Sequence, residues 1–270
     1  MATISHPRRL TRRQRAGALR AAQYAVLAIA ALVFALVADW ERIREAFFDT
    51  AIMRELFPEL ITVALKNTVL YTLCAFAFGL VLGLVVALMR LSPVAAYRAL
   101  ATLYVEFFRG VPALLVFIAF GYGVPVALNT EVPGGTLGTV TIALGLVAAA
   151  YMAETFRAGI QAVPKGQMEA ARSLGMSHSW AMVSIIVPQA FRIILPPLTN
   201  ELILLTKDSS LVYLLGVTLP TRELAKFGRD ALTQYVSLTP ILVAGLAYLI
   251  ITVPLGIVVR RLEARQAQAR

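Results

Sequence analysis

The chain has one cysteine, Cys74, among 270 residues, and only two histidines, His6 and His178. A lone thiol inside an apolar run forms no intrachain disulfide and supplies no thiolate cage for a metal. The histidines lie too far from other ligand types in the sequence to suggest a metal site. Charge is scarce too: Asp, Glu, Lys and Arg make up 15% of the residues, where a soluble domain carries about a quarter. Also missing is any Gly-x-x-x-x-Gly-Lys-Ser/Thr run. The chain therefore has no loop of that kind to cradle nucleotide phosphates. No Ser/His, paired-carboxylate or metal cluster occurs at matched depth, which counts against a membrane-embedded enzyme.

What the chain has in abundance is apolar surface. Hydrophobic residues make up 59% and the mean hydropathy is +0.76. Uncharged runs at 21–38, 67–89, 110–130, 132–153 and 231–259 approach or reach the length that crosses a membrane, for which about 20 apolar residues suffice. A sixth candidate, near 184–206, is interrupted by Arg192, Pro196, Pro197 and Glu201. The pattern predicts an all-α polytopic membrane protein with about six transmembrane helices. A single membrane domain is expected over 22–262, between basic tails at 1–21 and 263–270, with no soluble domain.

The net charge of +10 invites a nucleic-acid reading, but its distribution favours another. Arg8, Arg9, Arg12, Arg13, Arg15 and Arg20 precede the first span; Arg260, Arg261, Arg265 and Arg270 follow the last. With six spans and an inner N-terminus, inner segments hold about 16 of the 25 basic residues, the bias of the positive-inside rule. Both termini are then cytoplasmic, with 39–66, 129–138 and 207–234 outside, and no nucleic-acid partner is called for. The basic start also mimics a signal peptide. No small-residue cleavage site follows it, and Asp39-Trp40-Glu41-Arg42 comes next, so a retained helix is expected.

Along the chain, 39–66 reads as an interfacial segment, and Gly79 and Gly83 form a small-xxx-small pair that permits close helix contact. Glu106 and Arg109 lie one turn apart, spaced to pair. Arg109-Gly110-Val111-Pro112 breaks the helix there, and Arg109 reads as a snorkelling arginine at a membrane boundary. The span over 139–163 carries Glu154 and Arg157, with Gln161 on the same face. Glu154 falls about 15 Å from Pro164 along a helix, near the bilayer middle or slightly inward. Charges at that depth are costly and are functional candidates by default. The alternative is an ion pair that only locks helix packing. A short re-entrant or interfacial helix is expected over 211–219, where irregular backbone survives only inside protein or beside water.

Between that span and the next lies the polar interlude 164–188, PKGQMEAARSLGMSHSWAMVSIIVP. Pro164 stops one helix, good helix formers from Gln167 to Leu174 start another, and Gly175 ends it. A second short helix is expected over 176–187, with Pro188 turning the chain back into the membrane. Two short helices with small residues at the bend form a knob suited to a groove on another protein.

The offsets in that stretch are Glu169-Ala170-Ala171, three residues, Gly175, nine residues, Ile185, and then Val187-Pro188. They resemble the EAA loop of ABC-importer permeases, with Val187 where Leu is usual. An ordinary amphipathic loop has no reason to match six positions at fixed offsets. The runs Glu106-Phe107-Phe108-Arg109-Gly110-Val111-Pro112 and Leu204-Leu205-Thr206-Lys207-Asp208-Ser209-Ser210-Leu211 resemble the polar amino-acid uptake subfamily. Val111 replaces its Thr, and Phe117 stands where Gln is frequent.

The resemblance covers 58–263 and implies the type I importer transmembrane fold in a bacterial plasma membrane. It implies two ATPase subunits carrying ATP and Mg²⁺, a second permease subunit, an external solute-binding protein and a polar amino-acid substrate. Glu169, Ala170, Ala171 and Gly175 would couple to the ATPase. Glu154, Arg157 and Gln161 would meet the substrate: acceptor for ammonium, donor fork for carboxylate, and reader of a polar side chain. A secondary transporter, using Glu154 and Arg157 for ion coupling, is the alternative; no internal inverted repeat supports it.

Overall fold

The computed structural model describes residues 12–268. His6, Arg8, Arg9 and Arg270 lie outside the described residues. The chain divides into two compact units, Met1–Asp49 and Thr50–Arg270.

In the first unit, α1 (Arg12–Val37) is long and apolar enough to span, and none of its spanning window is buried. Asp39 caps α2 (Trp40–Phe47) by accepting the Arg42 amide at 3.1 Å. Trp40 donates its indole N–H to the Ala35 carbonyl at 2.8 Å and meets Phe34 edge-on.

The second unit opens with α3 (Thr50–Glu59), which runs through a wide turn at Leu60–Leu65 into α4 (Lys66–Leu91). The segment expected to lie at the interface is thus helical throughout its second half and continuous with the span. Beside α4, in parallel orientation, lies α8 (Gly135–Gln161). Glycine sets their separation. A Cβ on Gly79 would sit 3.1 Å from Ala148 Cβ, and one on Gly83 only 2.9 Å from the Ala149 carbonyl oxygen. The Gly79/Gly83 pair is therefore the contact ridge, and small residues there let two backbones touch.

The expected 110–130 span is different in form. α5 (Ala95–Gly110) and the run through α6 (Ala113–Ile118) to α7 (Val124–Leu128) meet at 101°. Val111 and Pro112 are extended at the break, because proline removes a donor and pushes its predecessor out of the helical region. The described residues therefore hold five helices able to span, or six counting this bent pair.

After the short helices α9 (Lys165–Ser173) and α10 (His178–Ala181), α11 (Val187–Asp208) carries the chain back. Pro188 stands in the first turn of α11, where the chain turns back as expected, but the helix before it does not stop at Val187. A wide turn at Met182–Ile186 precedes it, so the carbonyl four residues back is already turned away from the proline ring. The same arrangement recurs where the wide turn Ala119–Gly123 precedes Pro125. Pro196 and Pro197 also lie within α11.

Tight turns at Ser209–Leu215 and Leu219–Thr221 then lead to α12 (Leu224–Tyr235) and α13 (Thr239–Gln268). The last span starts at Thr239 rather than at 231, because Val236 adopts a left-handed conformation that separates the two helices. The structure joins these elements at the end opposite the 164–188 loop. Asn67 donates to the Pro220 and Arg222 carbonyls, and Tyr71 to Thr221. Arg222 pairs with Glu59 at 2.5 Å. Glu223, fully buried, caps α12 and accepts the Tyr248 hydroxyl at 2.9 Å. Burial pushes the Glu223 carboxyl up to about 7, against the downward pull of its backbone and Tyr248 hydrogen bonds.

Candidate functional site

The α5–α6 bend, α8 and α11 enclose two adjoining cavities of about 440 and 520 Å³. They share Arg109, Tyr151, Glu201 and Leu204, and so form one groove along α8 from Leu144 to Ala162. Tyr104 fastens α5 to α8 by donating to the Leu146 carbonyl at 2.7 Å. Glu201 and Asp208 are two turns apart on α11 and both face the groove, opposite Arg109.

The expected Glu106–Arg109 ion pair is absent among the described residues. The Arg109 guanidinium lies over the Tyr151 ring instead, 5.5 Å from its centre. Once the helix ends at Gly110, the bend carries Arg109 to the face of α8. Among the described residues, no ion pair or hydrogen bond engages the Glu201 or Asp208 carboxylate. Arg109, exposed, and Glu201 and Asp208, half-buried, therefore face one cavity with no ion pair among them, which costs the two carboxylates free energy unless a ligand or water supplies partners.

Glu154, Arg157 and Gln161 do come together on α8. Arg157 pairs with Glu154 Oε1, donates Nε–H to Glu154 Oε2 at 3.1 Å, and donates from Nη1 to Gln161 Oε1 at 2.5 Å. A fourth member comes from another helix: Arg90 Nη1 lies 2.5 Å from Glu154 Oε2. Arg90, read in the sequence only as a stop at the end of α4, lies 64 positions away, and no local pattern signals the contact. Because Arg90 stands in the last turn of α4, the cluster lies towards the loop end of the membrane domain rather than at its middle. Glu154 alone of the three expected residues borders the groove. Gln161 borders a separate cavity, of about 520 Å³, beneath the 164–188 loop.

In that loop, Gly175 ends α9 with φ +83°. Its amide donates to the Arg172 carbonyl at 3.0 Å and the Met176 amide to Ala171 at 3.1 Å. This is the paired closure that a glycine makes possible at a helix end. Ser177 then caps α10 by accepting the Trp180 amide at 3.2 Å. Ala171 and Ala181 are buried between the two helices, while Glu169, Ala170 and Gly175 are exposed. Leu174 and Trp180, 84% and 62% exposed, add apolar surface.

The sequence pattern of the family described as "Binding-protein-dependent transport system inner membrane component" matches residues 79–268. The chain belongs to that family. This transport component is 41% identical over 199 residues to the probable glutamine ABC transporter permease protein GlnM of Bacillus subtilis, covering 74% of this chain and 89% of the relative. It is 38% identical over 226 residues to the arginine transport system permease protein ArgU of Corynebacterium glutamicum, covering 79% and 67%. The crystal structure of an amino acid ABC transporter with histidines superposes with a TM-score of 0.72 at 32% identity, covering 80% of this chain and 98% of the other. The type I importer permease fold follows, and this family member is a multi-pass membrane protein.

Proposed function

We propose that this permease imports polar amino acids across a bacterial plasma membrane, driven by ATP. It acts with a second permease subunit, identical or homologous, two cytoplasmic ATPase subunits and an external solute-binding protein. ATP and Mg²⁺ are bound by the ATPase subunits. The observation that carries the reading is the groove where Arg109, Glu201 and Asp208 face one cavity with no ion pair among them. A zwitterion brings one charge of each sign. Arg109 offers a donor fork for the α-carboxylate, and Glu201 and Asp208 offer acceptors for the ammonium group. Glu154 supplies a further acceptor at the loop end, held by Arg157, which Gln161 steadies. The relatives carry glutamine and arginine in their names, so the choice among amino acids stays with the binding protein and this groove.

In this reading the loop docks an ATPase through Glu169, Ala170, Ala171 and Gly175. Gly175→Trp should abolish ATP-driven uptake while the protein still inserts. Normal uptake by that mutant, with its ATPase still bound, would sink the loop assignment. Uptake of labelled amino acids into vesicles should follow ATP; uptake that follows a proton gradient without ATP would make the chain a secondary transporter. Orientation is tested in a Cys74→Ala background. An impermeant reagent added to intact cells should label Thr130→Cys and not Ser177→Cys, and the reverse pattern would invert the topology.

A further inference from the structure

We propose that Gln161, Arg157 and Arg90 form the mechanical link between the amino-acid groove and the loop that meets the ATPase. The inference rests on the importer reading and concerns how its two ends communicate. Glu154 borders the groove and Gln161 borders the cavity beneath the loop. Arg157 is bonded to both, and the three stand on successive turns of α8.

Both oxygens of Glu154 are occupied, Oε1 by Arg157 and Oε2 by Arg90 and Arg157. An ammonium group arriving at Glu154 has to displace part of that coordination. Arg157 has five donors in a rigid fork and a second acceptor at hand, Gln161 Oε1, 2.5 Å from Nη1. It holds Glu154 and Gln161 at once, so loosening its hold on Glu154 leaves it anchored by Gln161. Arg90, anchored on α4, keeps Glu154 paired during that loosening, so the carboxylate is never stranded in a low dielectric.

Below Gln161 there is room for movement. Gln161 of α8, Met168 of α9, His178 of α10 and Met182 after it line the cavity of about 520 Å³. Motion of α9 against α8 changes this cavity and with it the position of the Gln161 amide. Coupling between two sites is reciprocal by thermodynamic necessity. A loop moved by the ATPase alters the grip of Arg157 on Glu154, and an amino acid at Glu154 alters the loop. Gln161 and Arg90 are in this sense positioning residues that act through Arg157 and Glu154.

The test uses the whole transporter in proteoliposomes, with its ATPases and binding protein and with labelled L-glutamine and L-arginine as probes. ATP hydrolysis and uptake are measured on the same vesicles. Gln161→Leu removes the acceptor from an exposed position, and its thermal unfolding midpoint should match the parent. Uptake per ATP hydrolysed should fall at least ten-fold, and hydrolysis should stop responding to the loaded binding protein. Gln161→Glu keeps an acceptor for Arg157 and should retain at least half of the parent ratio; a purely space-filling role would spare the similarly sized leucine variant as well. A parent ratio in Gln161→Leu, or equal failure of both variants, overturns the link while leaving the importer intact. Absence of ATP-driven uptake of both probes by the parent overturns the importer reading and the link together.

Discussion

Two sets of charged side chains stand within one membrane domain and are treated in opposite ways. Around Glu154 every charge is answered: two arginines from two helices converge on one carboxylate, and Gln161 takes a further donor. Along the adjoining groove, Arg109, Glu201 and Asp208 face the same space with no ion pair among them. Their side chains are of the same kinds, so composition does not distinguish the sets. The difference is geometric, and in the proposed reading it separates charges that hold helices together from charges left for a ligand. A satisfied cluster stabilises by excluding alternatives, whereas an unsatisfied one stores a cost that a ligand relieves.

The sharpest break in that comparison should come from Glu154. Glu154→Ala leaves Arg90 and Arg157 facing each other uncompensated, an expected loss of about 3–5 kcal/mol. It should be visible as a collapse of the thermal unfolding midpoint of the solubilised protein, together with loss of uptake. Arg157→Ala should also block uptake but destabilise less, because the Arg90–Glu154 pair survives. The exchange Glu154→Arg with Arg157→Glu should not recover transport, since the new arginine would meet Arg90. Full recovery would show that Arg90 is not part of the cluster and that the pair acts alone.

Next in size is the opposite outcome at the groove. Glu201→Gln should leave the unfolding midpoint unchanged or raised, because it removes an unpaired half-buried charge. Uptake should nevertheless fall at least ten-fold, about 1.4 kcal/mol of lost interaction. If this variant destabilises as Glu154→Ala does, Glu201 has a structural partner and the contrast between the two sets fails.

At the far end, where Glu223 is satisfied yet buried, the expected effect is one of pH. Its carboxyl is raised to about 7 in the folded protein from an ordinary value of 4.5. Folding therefore favours its protonated form. Stability should be greatest at low pH, fall by at most about 1.4 kcal/mol per pH unit as pH rises from 5 towards 7, and level off above. Glu223→Gln should flatten that slope in unfolding midpoints measured across the range. An unchanged slope would place the titrating group elsewhere.

The spans were legible because membrane-crossing segments need long apolar runs, and the loop because glycine, proline and small residues at fixed offsets dictate a local bend. Gly175 illustrates the second case: its left-handed backbone follows from one residue type at one position. Gly79 and Gly83 were visible as a pair, but only the parallel run of α4 and α8 shows what they touch. The short helix expected over 176–187 misled in its end, since the wide turn before Pro188 lets the helix run on through it. Arg109 misled more. Local spacing paired it with Glu106, whereas the bend at Pro112 carries it to Tyr151 and the groove.

The sequence by itself determined the class of molecule, the count and rough placement of its spans, and the form of the loop. Each of these rests on interactions within a few residues or on transfer of a whole segment from water to lipid. Tertiary structure alone decided which charges are paired. Arg90 reaches Glu154 across 64 positions, and among the described residues Glu201 and Asp208 have no ion-pair partner, because pairing depends on distances between helices. Those distances are set where side chains from remote segments meet, and no short window of sequence contains both members of such a pair.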